Sequence, residues 1–463
     1  MAIRIIEQIQ VSPSLPSQPP IPLTFLDTVW FAVPPVERLF FYDFPHPTSV
    51  FIDRHLPSLT ASLSVTLRTF YPLAGIIHRS PGSADQFEIA YTEGDSVSLT
   101  VAEYAGGDIR DFSGYRSREL VKLRLMVPKS AAPPNSPEVV AWWPAMSVQV
   151  TLFPNQGLCI GLAVHHSVCD GTSLMRFRLS WAAACRSVKG GPSGEASAAD
   201  PPPLLDRSII VDTRGARLKL LEQARRFVAE RNKEQGRTEQ PPPDQSSSNL
   251  VCSTFVLSAA MIEKLKKRVL EAVAEEEGIP KFHCSAFVVS CGYSWSCLVK
   301  SRNIDGEATV HFGFSVDWRP RTTPAIPSNY FGNCLGGGFT EMKASKVMES
   351  KGFVAAAAAI GKSIDSLQGM DVAENVLMIM DRYVELARNL PLSVAGSPRF
   401  RVYDTDFGWG RPAKVEVTSV AETDAMSLAE SREEAGGIEI GMVLSRVHME
   451  AFRAFFESGL IDL

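Results

Sequence analysis

The chain has 463 residues, of which 45% are hydrophobic and 21% are charged. This composition is that of a globular protein with one or two full cores, and it excludes disorder over most of the length. The formal net charge of −5 argues against a broad nucleic-acid-binding face. No apolar run predicts a membrane helix, and the first residues lack the apolar core of a secretory signal. We therefore expect a cytoplasmic monomer with no nucleic-acid partner and no membrane partner.

The eight cysteines are scattered along the chain and form no Cys-x-x-Cys pair. In so long a chain they indicate reduced, mostly buried thiols rather than a disulfide framework or a zinc site. We expect no structural metal.

Two segments, residues 189–203 and 235–249, are rich in Gly, Pro and Ser and cannot form a packed core. A charged helix is predicted between them over residues 214–231. The span that contains all three is expected to be an exposed crossover between two lobes of similar size. The expected division is an N-terminal lobe (1–188), a crossover linker (189–249) and a C-terminal lobe (250–463).

In the first lobe, Ser147–Phe153 alternates with period two, and a short polar turn and the apolar segment Leu158–Val164 follow it. This pattern predicts a β-hairpin. The next segment, Leu174–Val188, predicts a helix, and the four residues before it supply turn and cap chemistry. His165 and His166 thus lie where a strand ends and a helix is about to begin. Loops at such positions often carry functional side chains.

The second lobe also mixes helices and strands. Ser285–Ser301 is apolar nearly all round and predicts a buried helix. The other predicted elements are the strands Thr309–Trp318, Lys414–Val420 and Ile438–Ser445 and the helices Gly352–Leu367, Val372–Leu390 and Arg446–Leu460. We therefore expect an α/β chain with two sheet-containing lobes, whose strand order the pattern does not define.

The first chemical pattern is HHSVCDG, in which His166 and Asp170 stand four residues apart. An imidazole whose pKa is near neutrality can remove a proton from a hydroxyl without a metal. The spacing alone is equally well explained by a buried histidine with a local hydrogen bond. Both interpretations remain open at this point.

The second pattern is DFGWG, formed by Asp406, Phe407, Gly408, Trp409 and Gly410. Two glycines around an aromatic residue predict a tight turn, in which the aspartate accepts backbone N–H groups or pairs with an arginine. A kinase interpretation of DFG fails, because no Gly-rich loop, VAIK lysine or HRD loop precedes it. We favour a rigid turn that braces neighbouring strands.

The segment VDWRPR supplies Arg319 and Arg321, either of which pairs with a buried carboxylate or remains a solvated loop charge. The sequence contains no GxSxG elbow, Walker loop or HExxH motif. The chain thus has a candidate base but no candidate nucleophile. This indicates direct transfer between two bound substrates rather than a covalent enzyme intermediate.

HHSVCDG near the middle and DFGWG near the C-terminus, at this separation, resemble the motifs of the BAHD acyltransferases, a plant family of acyl-CoA-dependent enzymes. The segments Leu23–Pro45, Leu67–Gly75 and Ser253–Ser258 are similar to the family as well, so the likeness covers the whole chain. NYFGNC, Asn329–Cys334, is similar to a motif of the subgroup that acylates anthocyanins and other flavonoid or phenolic glycosides.

The resemblance implies two chloramphenicol-acetyltransferase-like domains, each a mixed β-sheet with flanking helices, joined by a long crossover loop. It implies a tunnel between them, with His166 at its middle as the general base. Asp170 would hold the loop through Arg319 or Arg321, DFGWG would support the CoA end, and Ser397 falls at the oxyanion-side position. No cofactor is bound permanently. Acyl-CoA is the co-substrate, and the expected partners are acyl-CoA and a phenolic glycoside.

The acyl donor is open between malonyl-CoA and a hydroxycinnamoyl-CoA. A malonyl carboxylate favours a nearby cation, for which Arg176 is the candidate, although exposed helix arginines are common. A hydroxycinnamoyl group favours an aromatic slot, with Trp30, Phe31 and Phe331 as candidate walls unless they are core packing. Two rivals also remain: an alcohol or amine acceptor of another kind, and a catalytically silent member that only binds ligands.

Overall fold

The computed structural model describes residues 3–31, 33–83, 86–129, 143–188, 201–223, 249–386 and 392–461. Within these ranges the strands are β1 (Ile3–Val11), β2 (Ile21–Pro22), β3 (Val36–Asp43), β4 (Ile76–Arg79), β5 (Phe87–Ala90), β6 (Val97–Tyr104), β7 (Arg118–Glu119), β8 (Trp143–Pro144), β9 (Met146–Phe153), β10 (Gly157–Val164), β11 (Leu250–Leu257), β12 (Thr309–Asp317), β13 (Leu335–Lys343), β14 (Ser393–Gly396), β15 (Lys414–Val417), β16 (Ala425–Glu430) and β17 (Ile438–Ser445). The α-helices are α1 (Phe25–Thr28), α2 (Thr48–Val50), α3 (Leu56–Thr69), α4 (Arg110–Ser113), α5 (Leu120–Leu123), α6 (Gly171–Val188), α7 (Ala259–Glu277), α8 (Ala286–Ser301), α9 (Ala344–Met348), α10 (Gly352–Asp365), α11 (Val372–Leu386) and α12 (Arg446–Ile461).

The first large sheet has six strands in the order β1-β6-β9-β10-β3-β15. β6 and β9 run parallel, and the other neighbours are antiparallel. The central hairpin β9–β10 is buried along its whole length. Residues of α3 and α6 such as Leu63 and Trp181 pack on one face, while Leu120 and Leu123 pack on the other. Two covered faces explain why β10 is apolar along its whole length, although β9 alternates polar and apolar residues.

The second large sheet has five strands in the order β14-β16-β17-β11-β7, with β14 and β16 parallel. Its core contains the buried helix α8, whose cap Ser285 accepts a hydrogen bond from the backbone N–H of Val288. Two smaller sheets, β12-β13 and β2-β5-β4-β8, complete the fold.

The two large sheets exchange edge strands. β15 comes from the C-terminal part of the chain but pairs with β3 in the first sheet. β7 comes from the N-terminal part but pairs with β11 in the second sheet. The two lobes are therefore joined by hydrogen-bonded backbone as well as by the crossover. Dividing the chain at residues 188 and 250 stays a prediction.

Most of the predicted elements are confirmed. The hairpin, the buried helix and the strand Ile438–Ser445 lie where the pattern places them. The helix after HHSVCDG begins three residues earlier than predicted, at Gly171, because Asp170 caps it. The strand predicted over Lys414–Val420 is too long, since the chain turns into a 3₁₀ helix at Thr418. The end of the helix predicted to residue 390 lies outside the described residues.

The crossover is only partly described, over residues 201–223 and from 249 onwards. Residues 216–223 are helical, whereas residues 214 and 215 of the predicted charged helix are not, and residues 224–231 lie outside the described residues. The expectation of an exposed linker is wrong for Arg207, Ala216 and Leu220, which are buried. Ala216 and Leu220 pack into the core around α8.

All eight cysteines are free thiols, and seven of them are buried. No helix among the described residues is long and apolar enough to cross a membrane. Over the same residues, the structure contains no group of three or more His, Cys, Asp and Glu side chains arranged to hold a metal ion.

Candidate active site

His166 lies in the short turn between the end of β10 and the start of α6. Its side chain is half-buried, and its Nδ1 is buried without a hydrogen bond to another described residue. The indole of Trp30 stacks on the imidazole, with ring centroids 3.9 Å apart and planes inclined by 10°. The indole thus holds the imidazole on one face.

The surroundings of His166 keep its imidazole neutral. Burial lowers the pKa of His166 below its ordinary value, because a charged ring would lose its hydration. Its own backbone carbonyl and the charge of Asp170 offset this only in part. A neutral imidazole is the form that accepts a proton from a hydroxyl.

His165 is the neighbour that the spacing argument set aside. Burial, together with repulsion from His166, lowers the pKa of His165 to about 4. Its Nδ1 accepts a hydrogen bond of 3.3 Å from the backbone N–H of Ser167. The ring lies among the aromatic side chains of Phe31 and Trp143. His165 is therefore a neutral packing residue of the turn.

Asp170 is bonded to Arg319 and to the start of α6 and holds the turn in place. Its carboxylate caps α6 by accepting the Ser173 N–H at 3.0 Å. It also receives both terminal nitrogens of Arg319, at 2.8 and 3.1 Å, and the Cys334 N–H at 3.0 Å. Of the two arginines left open by the sequence, Arg319 makes the pair. Arg321 instead lies over the Trp318 ring.

A second buried carboxylate, Asp27, approaches the same turn from the other side. It is fully buried and forms an ion pair with Arg207 of the crossover. The amide of Asn333 donates to Asp27 Oδ1 at 2.9 Å and to the backbone carbonyl of His166 at 2.8 Å. Sequence reasoning gave no role to Asp27 or Arg207, and it quoted Asn333 only as part of NYFGNC. For Asp27, the capping box with Thr24 was an available local signal.

DFGWG forms a tight turn at the opposite end of α6. Asp406 Oδ1 accepts the backbone N–H groups of Gly408 at 2.7 Å and Gly410 at 3.0 Å, and both glycines adopt positive φ. Phe407 packs edge-on against Trp181 of α6 at 4.8 Å. Trp409 joins an aromatic cluster with Tyr42, Phe44, Phe51 and His55.

One helix connects the two motifs. α6 begins directly after HHSVCDG, and near its end Arg186 donates to the backbone carbonyl of Asp406. At 1.5 Å per residue, Gly171 at the start of α6 and Arg186 near its end lie about 22 Å apart along the helix. DFGWG therefore lies away from His166, and α6 fixes the position of one relative to the other.

The remaining candidates have structural contacts of their own. Ser397 caps a short 3₁₀ helix by accepting the Arg399 N–H at 3.2 Å, and its hydroxyl hydrogen is left to donate. Arg176 donates to the Pro201 carbonyl at 2.6 Å. Phe331 is buried in the first core and is packing rather than an exposed wall. The oxyanion and donor roles of Ser397 and Arg176 stay predictions.

Comparison with known proteins identifies the family to which the chain belongs. The model of the Transferase family matches residues 1–458. Phenolic glucoside malonyltransferase 2 of Arabidopsis thaliana is 35% identical over 474 residues, which cover 99% of this chain and 100% of that protein. Agmatine coumaroyltransferase of the same plant is 35% identical over 468 residues, covering 98% and 99% of the two chains.

The fold also matches a solved structure. The crystal structure of vinorine synthase superposes with a TM-score of 0.71 at 21% sequence identity, covering 98% of both chains. This likeness shows that the mixed sheets belong to the two chloramphenicol-acetyltransferase-like domains expected from the sequence. The chain belongs to the Transferase family of BAHD proteins and is an acyl-CoA-dependent acyltransferase.

Proposed function

We propose that this enzyme transfers a malonyl or hydroxycinnamoyl group from acyl-CoA to a sugar hydroxyl of a flavonoid, anthocyanin or other phenolic glycoside. The observation that carries the proposal is the neutral, half-buried imidazole of His166, held in the turn between β10 and α6. The activities for which the relatives are named, which include malonyl transfer to phenolic glucosides, support the substrate class.

In the proposed reaction, His166 removes the proton of the sugar hydroxyl as its oxygen attacks the thioester carbonyl. The tetrahedral intermediate carries the negative charge on the former carbonyl oxygen, for which the Ser397 hydroxyl is the candidate donor. Collapse breaks the carbon–sulfur bond, and the imidazolium returns its proton to the CoA sulfur. No covalent enzyme intermediate forms, and much of the rate comes from orienting two bound substrates.

Asp170 contributes by position in this scheme. Its contacts with Arg319 and with the start of α6 hold the turn that carries His166. It touches neither substrate and takes no proton. The DFGWG turn acts at the other end of α6, where the proposal places support for the CoA side.

We also propose that the enzyme is a cytoplasmic monomer. Its N-terminal lobe covers residues 1–188, its crossover linker residues 189–249 and its C-terminal lobe residues 250–463. The second candidate function is amine acylation, and it is favoured by one observation: agmatine coumaroyltransferase is also 35% identical to this chain. Sugar hydroxyls and amines both require proton removal, so His166 does not distinguish them.

The decisive experiment is a donor and acceptor screen of the purified enzyme. Malonyl-, acetyl-, coumaroyl- and caffeoyl-CoA are each combined with flavonoid glucosides or with agmatine, and products are identified by mass. We expect acylated glucosides, with thioester cleavage that depends on the added glucoside. Acylated agmatine alone would support the amine function, and thioester binding without any turnover would support the silent member.

His166→Ala is the first variant to test, using the donor and acceptor that the screen identifies. Loss of the base is expected to lower kcat by about 10²–10⁴-fold, while the KM for acyl-CoA changes little. The matched control is His448→Ala, on the exposed face of α12, which should keep full activity. Near-normal transfer by His166→Ala would contradict the base assignment.

A further inference from the structure

The crossover reaches into the catalytic turn through one arginine. Arg207 is 5% exposed, and its Nη1 donates to both oxygens of Asp27, at 2.8 and 2.9 Å. Its Nη2 donates to the backbone carbonyl of Val168 at 2.9 Å, two residues after His166. A side chain from the segment that joins the two lobes is thereby bonded directly to the turn that carries the base.

Asp27 links Arg207 to the segments that carry the imidazole of His166 and the indole of Trp30. Through Asn333, it is tied to the backbone carbonyl of His166. It also accepts the backbone N–H and the hydroxyl of Thr24, at 2.9 and 2.7 Å, which fixes the start of α1. α1 ends two residues before Trp30, whose indole stacks on the imidazole. The Asp27 carboxylate thus fixes both the turn that carries His166 and the start of the helix that leads to Trp30.

The Arg207 guanidinium occupies space that any side chain at position 332 would fill. A Cβ added to Gly332 would lie 1.9 Å from Arg207 Nη1 and 2.8 Å from the hydroxyl of Tyr330. The same guanidinium donates to the Tyr330 hydroxyl at 3.2 Å. The glycine of the NYFGNC segment therefore leaves the space that the Arg207 side chain of the crossover occupies.

We propose that Arg207 is a positioning residue for acyl transfer, holding the His166 turn directly through Val168 and indirectly through Asp27 and Asn333. The proposal rests on His166 being the base of the proposed function. It assigns to the crossover a role in catalysis, since the crossover supplies the cation that fixes the turn.

The proposal has a consequence for charge. Three titratable groups act on His166 directly: His165, Asp170 and Asp27. The two carboxylates are surrounded in turn by Arg319, Arg207, Cys169, Tyr330 and Cys334. Both carboxylates are paired with an arginine. Without Arg207, Asp27 would keep four donors, the N–H and hydroxyl of Thr24 and the N–H and amide of Asn333. Its unpaired negative charge would then stabilise the imidazolium of His166.

The test compares Arg207→Met with the double variant Asp27→Asn/Arg207→Met, using a substrate pair that the wild-type enzyme turns over. Arg207→Met is expected to lower kcat by roughly 10–100-fold with the KM for acyl-CoA within about twofold, because a misplaced base affects the chemical step. The acidic limb of its kcat/KM profile should move up by about one pH unit. The double variant should keep the lowered kcat but return the limb to the wild-type pH.

The control is Arg214→Met in the same crossover, whose guanidinium forms exposed ion pairs with Asp371 and Glu374. It should keep both kcat and the pH profile. If Arg207→Met only lowers the melting temperature and leaves kcat per folded enzyme and the limb unchanged, the positioning role is wrong. If Arg207→Met does not fold, Asn333→Ala keeps the ion pair and should still lower kcat.

A readout without turnover separates this proposal from the proposed function. The pH dependence of diethylpyrocarbonate modification of His166, followed by peptide mass, reports the protonation of the imidazole directly. The midpoint of this pH dependence should shift upward in Arg207→Met and return to the wild-type pH in the double variant, even if no tested acceptor is acylated. An unshifted profile in Arg207→Met would overturn the proposal whatever the substrate is.

Discussion

At the scale of single residues, the site depends on how one imidazole is surrounded. Trp30 covers one face of the His166 ring, and Asn333 holds its backbone carbonyl. The resulting burial favours the uncharged ring, because desolvation penalises an imidazolium. The groups that surround His166 thus favour its neutral form.

This surrounding predicts the pH dependence of the enzyme. Because burial lowers the pKa of His166 below its ordinary value of 6.5, the neutral base persists to lower pH than in a free histidine. The acidic limb of kcat/KM is therefore expected to have its midpoint below pH 6.5. Initial rates measured across pH 4.5–8 with a fixed donor and acceptor test this, with the pH range chosen to bracket the ordinary histidine value. A midpoint above 6.5 would contradict it.

Unfolding must be separated from titration in that experiment. His165 and His166 both have lowered pKa values in the folded chain, so the unfolded chain takes up more protons as the pH falls below 6.5. The free energy of unfolding is then expected to fall with pH in this range. Circular dichroism at each pH identifies the range in which the enzyme is still folded.

At the scale of elements, the second lobe depends on a close crossing of α8 and α10. α8 is buried nearly all round, and Gly292 lies against the backbone of Ala357. An added Cβ would come within 2.6 Å of the Ala357 nitrogen, a distance that only helix separation relieves. Glycine is thus required here by a close backbone approach.

Gly292→Ala is expected to lower the free energy of unfolding by about 1–3 kcal/mol, since overpacking forces the two helices apart. The measurement is a urea unfolding curve, with kcat per folded enzyme unchanged because the site is remote. Ser290→Ala on the same helix is the control. Its hydroxyl is buried and makes no hydrogen bond among the described residues, so its loss should be neutral or slightly stabilising. Equal effects of the two variants would show that the crossing is not close-packed.

At the scale of the whole molecule, a buried polar cluster joins the two large sheets. Lys414 on β15 of the first sheet donates to Glu439 on β17 of the second sheet at 2.6 Å. Glu416, on the same strand as Lys414, pairs with Arg118 of β7 at 2.6 Å. Burial alone would raise the pKa of Glu416, but Arg118 and Lys414 more than offset it and hold the value at about 2. The cluster holds the sheets in register at the exchanged strands.

Lys414→Met is expected to destabilise the fold by about 3–5 kcal/mol, because it leaves the Glu439 carboxylate buried without its cation. Urea unfolding measures the loss. Lys343→Met removes an exposed lysine near Glu307 and should change stability by less than about 0.5 kcal/mol. If the two variants lose equal stability, the cluster does not join the lobes.

The candidate base could be predicted from the sequence, because its signal is local. HHSVCDG lies at a strand-to-helix turn that alternation and cap residues identify, and the structure places His166 there. The pairing partner of Asp170 was narrowed to two arginines that lie close together in the chain. Choosing Arg319 required the fold, since the ion pair joins residues 149 positions apart.

The sequence by itself determined the α/β class, the family and the position of the candidate base, since periodicity, cap residues and motifs are properties of neighbouring residues. Only the tertiary structure decided that Trp30 stacks on the imidazole, that β7 and β15 exchange sheets, and that Arg207 belongs to the site. Each of these contacts joins segments far apart in the chain. Such contacts are selected by the burial and pairing of groups that no local pattern specifies.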